Sequence, residues 1–278
     1  GYILPKDVKT IFVHHELRYI RNENEMLLFK EITEKDKMLF SVAKDFERDA
    51  LLKYKHVIAL TEIDRKILLD FLGRKGDIYA SPAIVTSAKS PATDFIPATA
   101  HRLTFVGSEY HCPNMDAIIW FCEEIIPSLR KSGFSFKFQL IGHWKSRQIK
   151  KLASINPEME LVGYVDSLSD ALRGTISFVP IRVGSGMRMK ILDAVFSGVP
   201  FITTSKGVEG IDFRNNEECL IADEAESFAE AIIRLSDQPD LQEKLTNQAK
   251  NRLKSLYNPQ QMLERRLAVY SSILKEDI

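Results

Sequence analysis

Residues 176–203 read ISFVPIRVGSGMRMKILDAVFSGVPFIT, and this stretch decides the fold class of the chain. It begins with a short apolar run at 176–179 and passes through a loop that contains two glycines. Apolar residues at helical spacing follow at 187–197, before a second apolar run at 200–203. A strand, a helix and a second strand in this order form the unit from which parallel sheets are built. The stretch therefore predicts an α/β protein.

The same alternation continues on both sides of this stretch. Strand patterns occur at 103–106, 136–141, 160–162 and 219–222, and helix patterns at 114–130, 146–154, 168–172 and from 227 to 274. We therefore expect a doubly wound, Rossmann-like parallel sheet over residues 101–257, with helices on both faces.

The first 80 residues show a shorter version of this alternation. Strand patterns occur at 9–13, 56–60 and 77–80, with helix patterns at 23–55 and 61–72. Thr61 is a suitable N-cap for the second helix, and Gly73 is a suitable stop. Residues 81–100 are rich in Ser, Pro and Thr, which places a linker at 86–100 between a domain at 1–85 and the domain at 101–257.

Composition and charge exclude several classes of function. The 278 residues carry 38 Lys and Arg against 38 Asp and Glu, so no net positive charge favours nucleic acid. No apolar run reaches the roughly 20 residues of a spanning helix, and no signal peptide is visible. The three isolated cysteines argue against a disulfide framework and against a zinc site. A cytoplasmic location is therefore expected.

The loop within the opening stretch is the candidate binding site. In open parallel sheets, ligands bind at the carboxyl ends of the strands. Gly184 and Gly186 would let the backbone approach a ligand, while Arg188, Lys190 and the N–H groups of a helix starting near residue 187 would face an anion. These parts suit a diphosphate. The alternative is a loop that the glycines merely shape, with the cations as a solvated rim.

The second domain closely resembles the nucleotide-sugar domain of family 4 (group 1) retaining glycosyltransferases, which have the GT-B fold. The motifs that carry the resemblance are ILDAVFSGVPFITTSKGVEG at 191–210, FVGS at 105–108, PNMDA at 113–117, WF at 120–121 and LIAD at 220–223. The resemblance covers about 175 residues well and the first 80 more loosely. It implies a GT-B protein whose second domain binds the sugar donor and whose first domain binds the acceptor.

The resemblance also assigns roles to individual residues. The family has two glutamates eight positions apart on this helix, and the chain has Ser185 and Asp193 at those places. Asp193 would bind the ribose, with one methylene less than the usual glutamate. The residues beside the donor sugar and diphosphate would be Gly184, Ser185, Gly186, Arg188 and Lys190.

His14 is the candidate catalytic residue of the first domain. It ends a strand pattern and matches a family histidine that faces the donor sugar, where it would orient a hydroxyl or share a proton. Adjacent histidines at a strand end are also common in loops without any such role. His15 is a weaker candidate, because side chains alternate across a strand.

The expected activity is transfer of a sugar from a nucleoside-diphosphate sugar to a hydroxyl acceptor, with retention, in polysaccharide or lipopolysaccharide biosynthesis. We expect no cofactor and no metal, because no Asp-X-Asp follows a strand. The acceptor would be a saccharide or a lipid-linked saccharide, with peripheral membrane contact at the inner face but no transmembrane segment. The alternatives are a nucleotide-sugar epimerase of the same architecture and a non-catalytic nucleotide-binding module.

The last expectation concerns the length of the first domain. Members of the resembled family have two domains of similar size, so residues 1–85 are expected to be a partial, Rossmann-like acceptor domain that lacks its first half. The last helix, at 258–278, is expected to pack back toward this domain. Such a fragment could bind nucleotide and still lack transferase activity.

Overall fold

A computed structural model describes residues 8–29, 31–74, 77–81, 95–98, 101–256 and 258–276. The chain separates into two compact units. The first unit consists of Gly1–Thr86, Ser185–Met187 and Tyr257–Ile278, and the second of Ser87–Gly184 and Arg188–Leu256. Apart from 95–98, the predicted linker at 86–100 lies outside the described residues.

The helices and strands follow the predicted alternation. The first unit begins with β1 (Ile11–His14), α1 (Arg18–Met26), α2 (Glu34–Leu52), β2 (His56–Ala59), α3 (Glu62–Leu72) and β3 (Ile78–Ala80). The second unit contains β4 (Arg102–Val106), α4 (Cys112–Trp120), a π-helical segment (Phe121–Ile125), α5 (Ile126–Lys131), β5 (Lys137–Ile141), α6 (Arg147–Ile155), β6 (Met159–Gly163), α7 (Leu168–Leu172), β7 (Ile176–Val179), α8 (Met189–Ser197), β8 (Phe201–Thr203), β9 (Leu220–Ile221), α9 (Ala225–Asp237) and α10 (Pro239–Leu256). The last helix, α11 (Pro259–Lys275), belongs to the first unit.

The first unit is built on a parallel three-stranded sheet in the order β1-β2-β3. Its core contains the fully buried side chains of Leu17, Val57 and Leu68. Thr61 caps α3 as predicted, because its hydroxyl accepts the Asp64 N–H at 2.9 Å. Gly73 ends the same helix with a left-handed φ of 62°, a conformation that glycine adopts without strain.

The second unit is built on a parallel six-stranded sheet in the order β6-β5-β4-β7-β8-β9. Its first strand, β4, lies in the middle, with β5 on one side and β7 on the other. The chain therefore winds outward from β4 in one direction and from β7 in the other. Ligands of doubly wound sheets bind at the carboxyl ends of the strands where this reversal occurs. The predicted α/β, doubly wound class is confirmed.

The core of the second unit is aromatic and interrupts one predicted helix. Phe121 is fully buried, and its ring centroid lies 4.3 Å from that of Phe178. The single helix expected over 114–130 is divided by the π-helical segment Phe121–Ile125. Pro127 explains the break, because it has no N–H to donate to the preceding turn. Among the described residues, no helix has the length and apolar character to cross a membrane.

Candidate functional site

The candidate site of the second unit lies at the carboxyl ends of β4 and β7, the two strands between which the winding reverses. Gly107 follows β4, and its N–H donates to the carbonyl of Ile141 at 2.9 Å. The loop that runs from Pro180 to Gly184 follows β7. Parallel pairing brings both loops to the same edge of the sheet.

The helix expected to start near residue 187 starts later, at Met189. Arg188 is the N-cap, with an extended ψ of 92°, and Gly186 before it has a left-handed φ of 77°. A left-handed residue cannot belong to a right-handed helix, so the helix begins only after this turn. The first-turn N–H groups that could face an anion therefore begin at Met189, since that of Ile191 already donates to the Arg188 carbonyl at 3.0 Å.

Gly184 allows the loop to lie against the Arg188 side chain. A Cβ atom at Gly184 would lie 3.2 Å from both Arg188 Nη2 and Pro113 Cγ, and φ at Gly184 is 113°. The backbone conformation favours glycine there, and a Cβ atom would also displace these neighbouring side chains slightly. Arg188 itself is buried, with only 9% of its surface exposed. The guanidinium therefore occupies a fixed place beside the turn.

Lys190 extends from the first turn of α8 toward the loop after β4. Its Nζ donates to Oδ1 of Asn114 and lies 4.3 Å from the centroid of the Phe105 ring. Burial and the nearby Arg188 guanidinium lower the pKa of Lys190 to about 7, although the Asp193 carboxylate acts in the opposite direction. The ammonium is thus held in a poorly hydrated place, where a bound anion would stabilise its charge.

Asp193 lies one helical turn after Lys190 and is partly buried. Burial raises the pKa of its carboxyl group, and the Lys190 ammonium acts against this rise. Asp193 and Lys190 therefore act on each other's charge. Ribose binding by Asp193 stays a prediction.

Arg182, the third cation of the loop, is engaged within the protein. Its Nη2 lies 2.5 Å from Asp116 Oδ1, and its guanidinium carbon lies 5.0 Å from the centroid of the Trp120 ring. This ion pair fastens the loop after β7 to α4. Arg182 is therefore a structural residue of the site.

Ser185 and Gly186, expected beside the donor, belong by their contacts to the first unit. The Ser185 hydroxyl donates to the Leu17 carbonyl at 3.0 Å. A Cβ atom at Gly186 would lie 3.1 Å from the His15 carbonyl oxygen. The predicted donor residues are thus divided: Gly184, Arg188, Lys190 and Asp193 are in the second unit, and these two are in the first.

His14 ends β1 as predicted, but its side chain is buried and bonded. Its Nε2 lies 3.1 Å from Oε1 of Glu47 on α2. Burial alone would raise the pKa of Glu47, but hydrogen bonds from His14 and from the Arg18 and Tyr19 N–H groups keep that pKa below its usual value. Both His14 and Glu47 line a cavity of about 690 Å³ within the first unit. This arrangement fixes the orientation of the His14 ring.

Three residues of these sites were not assigned a role from the sequence. Glu47 is 33 residues from His14 and gave no signal of its own. Gly107 and Asn114 lie within the FVGS and PNMDA motifs, and a Cβ atom at Gly107 would lie 2.7 Å from Asn114 Nδ2. A glycine after a strand and an asparagine at the next helix start are the only signal that could have indicated this contact.

Comparisons with known proteins place the chain in a family. A family model described as "Glycosyl transferases group 1" matches residues 100–238. A Klebsiella pneumoniae protein named "Uncharacterized 44.6 kDa protein in cps region" is 27% identical over 185 residues, which cover 63% of this chain and 46% of that protein. The matched part of the chain thus spans less than half of this relative.

Solved structures show the same fold at low sequence identity. A TarM mutant from S. aureus, solved with fondaparinux, alpha-GlcNAc-glycerol and UDP, matches with a TM-score of 0.71 and 17% identity over 98% of this chain and 52% of TarM. Sucrose-phosphate synthase from Thermosynechococcus elongatus matches with a TM-score of 0.72 and 16% identity over 95% of this chain and 67% of that protein. These neighbours support the predicted GT-B, Rossmann-like fold. Since the family model covers half of its residues, the chain belongs to the group 1 glycosyl transferases.

Proposed function

We propose that this chain binds a nucleoside-diphosphate sugar through Arg188 and Lys190 and belongs to a retaining, family 4 enzyme that transfers the sugar to a hydroxyl group. The observation that carries the proposal is the position of these two cations at the carboxyl ends of β4 and β7. The acceptor would be a saccharide or a lipid-linked saccharide in polysaccharide or lipopolysaccharide biosynthesis.

The physical basis is the charge that develops on the leaving group. When the bond between a sugar and a diphosphate breaks, negative charge grows on the departing oxygen. A guanidinium can hold phosphate oxygens in a bidentate manner, and an ammonium acts as a compact charge beside it. Two fixed cations supply the stabilisation that a metal ion supplies elsewhere, so the proposed reaction is independent of metal.

The relatives support the class of substrate. UDP and alpha-GlcNAc-glycerol are named with the TarM structure, and the Klebsiella pneumoniae relative is named for the cps region. Retention rests on the family resemblance of the motifs at 105–117 and 191–210. In this proposal Asp193 binds the ribose, Gly184, Ser185 and Gly186 serve the donor, and His14 is the catalytic residue of the first unit.

Membrane contact, if the acceptor is linked to lipid, would be peripheral and at the inner face. The exposed basic side chains near the start of α6 are the surface that we propose for it, and they are Lys145, Arg147, Lys150 and Lys151. Sedimentation with vesicles that contain anionic lipid would detect this contact, and its absence would restrict the acceptor to soluble saccharides.

A thermal-shift panel with UDP, GDP, dTDP and ADP and their sugars tests the donor site. We expect one base to raise the Tm, because a ligand at one hundred times its Kd stabilises the folded state by about 2.7 kcal/mol. Inorganic sulfate at the same ionic strength serves as the control for a general anion effect. No shift with any nucleotide would contradict the proposed donor site.

Product analysis then distinguishes the proposed reaction from the alternatives. A transferase releases nucleoside diphosphate and forms a glycoside, whereas an epimerase returns an isomerised donor. Binding without turnover identifies a nucleotide-binding module. The position of the anomeric signal in the product NMR spectrum tests retention.

A further inference from the structure

Asn114 connects three segments at the carboxyl edge of the second unit's sheet. Its side chain is buried, with 6% of the residue surface exposed. Nδ2 donates to the carbonyl of Ser108 at 2.9 Å, and Oδ1 accepts from Lys190 Nζ. The residue therefore joins the loop after β4, the start of α4 and the first turn of α8.

The backbone of two neighbouring loops restricts the position of the Asn114 amide. A Cβ atom at Gly107 would lie 2.7 Å from Asn114 Nδ2, so the backbone after β4 touches the amide directly. A Cβ atom at Gly142 would lie 2.0 Å from the Gly107 carbonyl oxygen, so the next loop closes against the first. With its donor end on Ser108, the amide presents its oxygen to Lys190.

The hydrogen-bond acceptor of Lys190 is a neutral amide, which suits a site for an anion. A carboxylate in the place of the amide would neutralise the ammonium, whereas an amide oxygen accepts a hydrogen bond and leaves the positive charge in place. The charged groups that act on Lys190 are Arg188 and Asp193. The acidic residue of α4, Asp116, is paired with Arg182, and β4 contributes the uncharged Phe105 ring.

We propose that Asn114 is a positioning residue that holds the Lys190 ammonium toward the diphosphate of the donor while leaving its charge available to that ligand. The inference rests on the proposed function, because it assumes that the anion is a diphosphate. Asn114 acts through Lys190 and has no other role in the reaction.

A pH dependence follows from this arrangement. Burial and Arg188 lower the pKa of Lys190 to about 7, so the free site is partly neutral at physiological pH. A bound diphosphate favours the charged ammonium, and binding must then take up a proton above pH 7. The affinity is expected to fall as the pH rises above 7, by up to about tenfold per pH unit for one coupled proton.

Calorimetric titration with inorganic pyrophosphate, and with the nucleotide that raises the Tm, tests the proposal between pH 6 and pH 9. Asn114→Asp keeps the shape of the side chain but adds a carboxylate. We therefore expect binding to be at least tenfold weaker at pH 7, and the fall in affinity to begin at a higher pH. Asn114→Ala removes the oxygen that accepts a hydrogen bond from the Lys190 ammonium, so the fall in affinity should begin at a lower pH.

Asn156→Asp is the matched control. Asn156 is also buried in the second unit, and its Oδ1 accepts from Arg130 Nη2 at 3.1 Å. It precedes β6, at the amino ends of the strands and away from the proposed site. The control reports the titration of pyrophosphate itself and any general loss of stability, and its pH profile should match that of the unaltered protein.

The outcomes separate the two proposals. If the unaltered protein binds neither pyrophosphate nor any nucleotide, the proposed function is wrong and the role of Asn114 falls with it. If it binds them and Asn114→Asp keeps both the affinity and the pH profile of the control, the role of Asn114 alone is wrong. Should the variants fail to fold, NMR of the Asn114 side-chain amide in the unaltered protein decides: its signals should shift as Lys190 titrates and when pyrophosphate binds, and signals that respond to neither would overturn the role of Asn114.

Discussion

Each of the two units places a basic side chain at the carboxyl end of a sheet, His14 buried and Lys190 partly buried, but the two side chains have different partners. In the first unit, His14 faces the Glu47 carboxylate, which also accepts two backbone N–H groups. In the second unit, Lys190 faces the amide oxygen of Asn114 and the ring of Phe105. The first arrangement satisfies its own charge, and the second leaves a positive charge for a ligand.

The different partners of the two side chains predict different effects on stability. A buried carboxylate with three hydrogen-bond donors contributes to the stability of the fold. A poorly hydrated ammonium that donates to an amide oxygen reduces stability until an anion binds. The two units should therefore respond in opposite directions when these groups are removed.

The largest expected effect is on turnover when Arg188 is replaced. Arg188→Ala should lower kcat by about 10²- to 10³-fold, the usual consequence of removing one preorganised donor from a developing charge. Steady-state kinetics of the transferase measure this, with circular dichroism to confirm folding. Arg173→Ala is the matched control, because Arg173 is exposed and lies between α7 and β7, at the amino ends of the strands. Near-normal turnover in Arg188→Ala would contradict the assignment.

Replacing Lys190 should raise stability and abolish binding together. Lys190→Met removes an ammonium whose pKa is lowered from 10.5 to about 7, so the folded state no longer carries a poorly hydrated charge. The gain in Tm should be full below pH 7 and disappear as the pH rises from 7 to 10.5, because the unaltered lysine becomes neutral in both states.

Scanning calorimetry across this pH range measures the gain in Tm. Each kcal/mol of added stability corresponds to about 2 to 4 °C. Lys137→Met, which changes an exposed lysine at the amino end of β5, is the control. A lower Tm for Lys190→Met at pH 6 would show that the ammonium is stabilising, and the comparison between the units would then be wrong.

The opposite result is expected in the first unit. Glu47→Gln weakens three hydrogen bonds to a buried carboxylate and should lower the free energy of unfolding by about 1 to 3 kcal/mol at pH 7. Because the pKa of Glu47 is lowered from 4.5, the advantage of the unaltered protein should be present above pH 4.5 and be lost as the pH falls below it. Denaturant unfolding measures both.

Asp45→Asn, on the exposed side of the same helix, is the control for the loss of one negative charge. Equal stability of Glu47→Gln and Asp45→Asn at pH 7 would remove the structural role of Glu47. A His14→Ala protein with full transferase activity would likewise restrict His14 to this structural pair.

The smallest expected effect is that of a chelator. With Arg188 and Lys190 as the charge-stabilising groups, activity should change less than twofold in the presence of EDTA. Activity assays with and without EDTA, followed by addition of Mn²⁺ or Mg²⁺, measure this. A loss with EDTA that Mn²⁺ restores would show that cationic side chains do not replace a metal.

The sequence was sufficient to predict most of the elements because each one has a local signal. The apolar run at 176–179 coincides with β7, and Thr61 and Gly73 bound α3 as their capping preferences indicate. The start of α8 was misplaced, because the left-handed turn at Gly186 is a property of the folded loop and leaves no periodic signal. Pro127 did give a signal, but the π-helical segment that it causes was not foreseen.

The sites were harder to predict because their contacts join distant residues. Asn114 and Lys190 are 76 residues apart, and only the placement of β4 beside β7 brings them together. Glu47 reaches His14 because α2 packs beside the end of β1, which no local pattern encodes. Glycines, cations and the family resemblance predict the region of the candidate site, whereas the side chains that hold those cations required the fold.

The most direct test of the central claim is a crystal structure of the chain with the nucleoside diphosphate that gives the largest thermal shift. The diphosphate should lie within hydrogen-bond distance of Lys190 Nζ and the Arg188 guanidinium, at the carboxyl ends of β4 and β7. A diphosphate bound elsewhere in the chain, with these two side chains unliganded, would contradict the account.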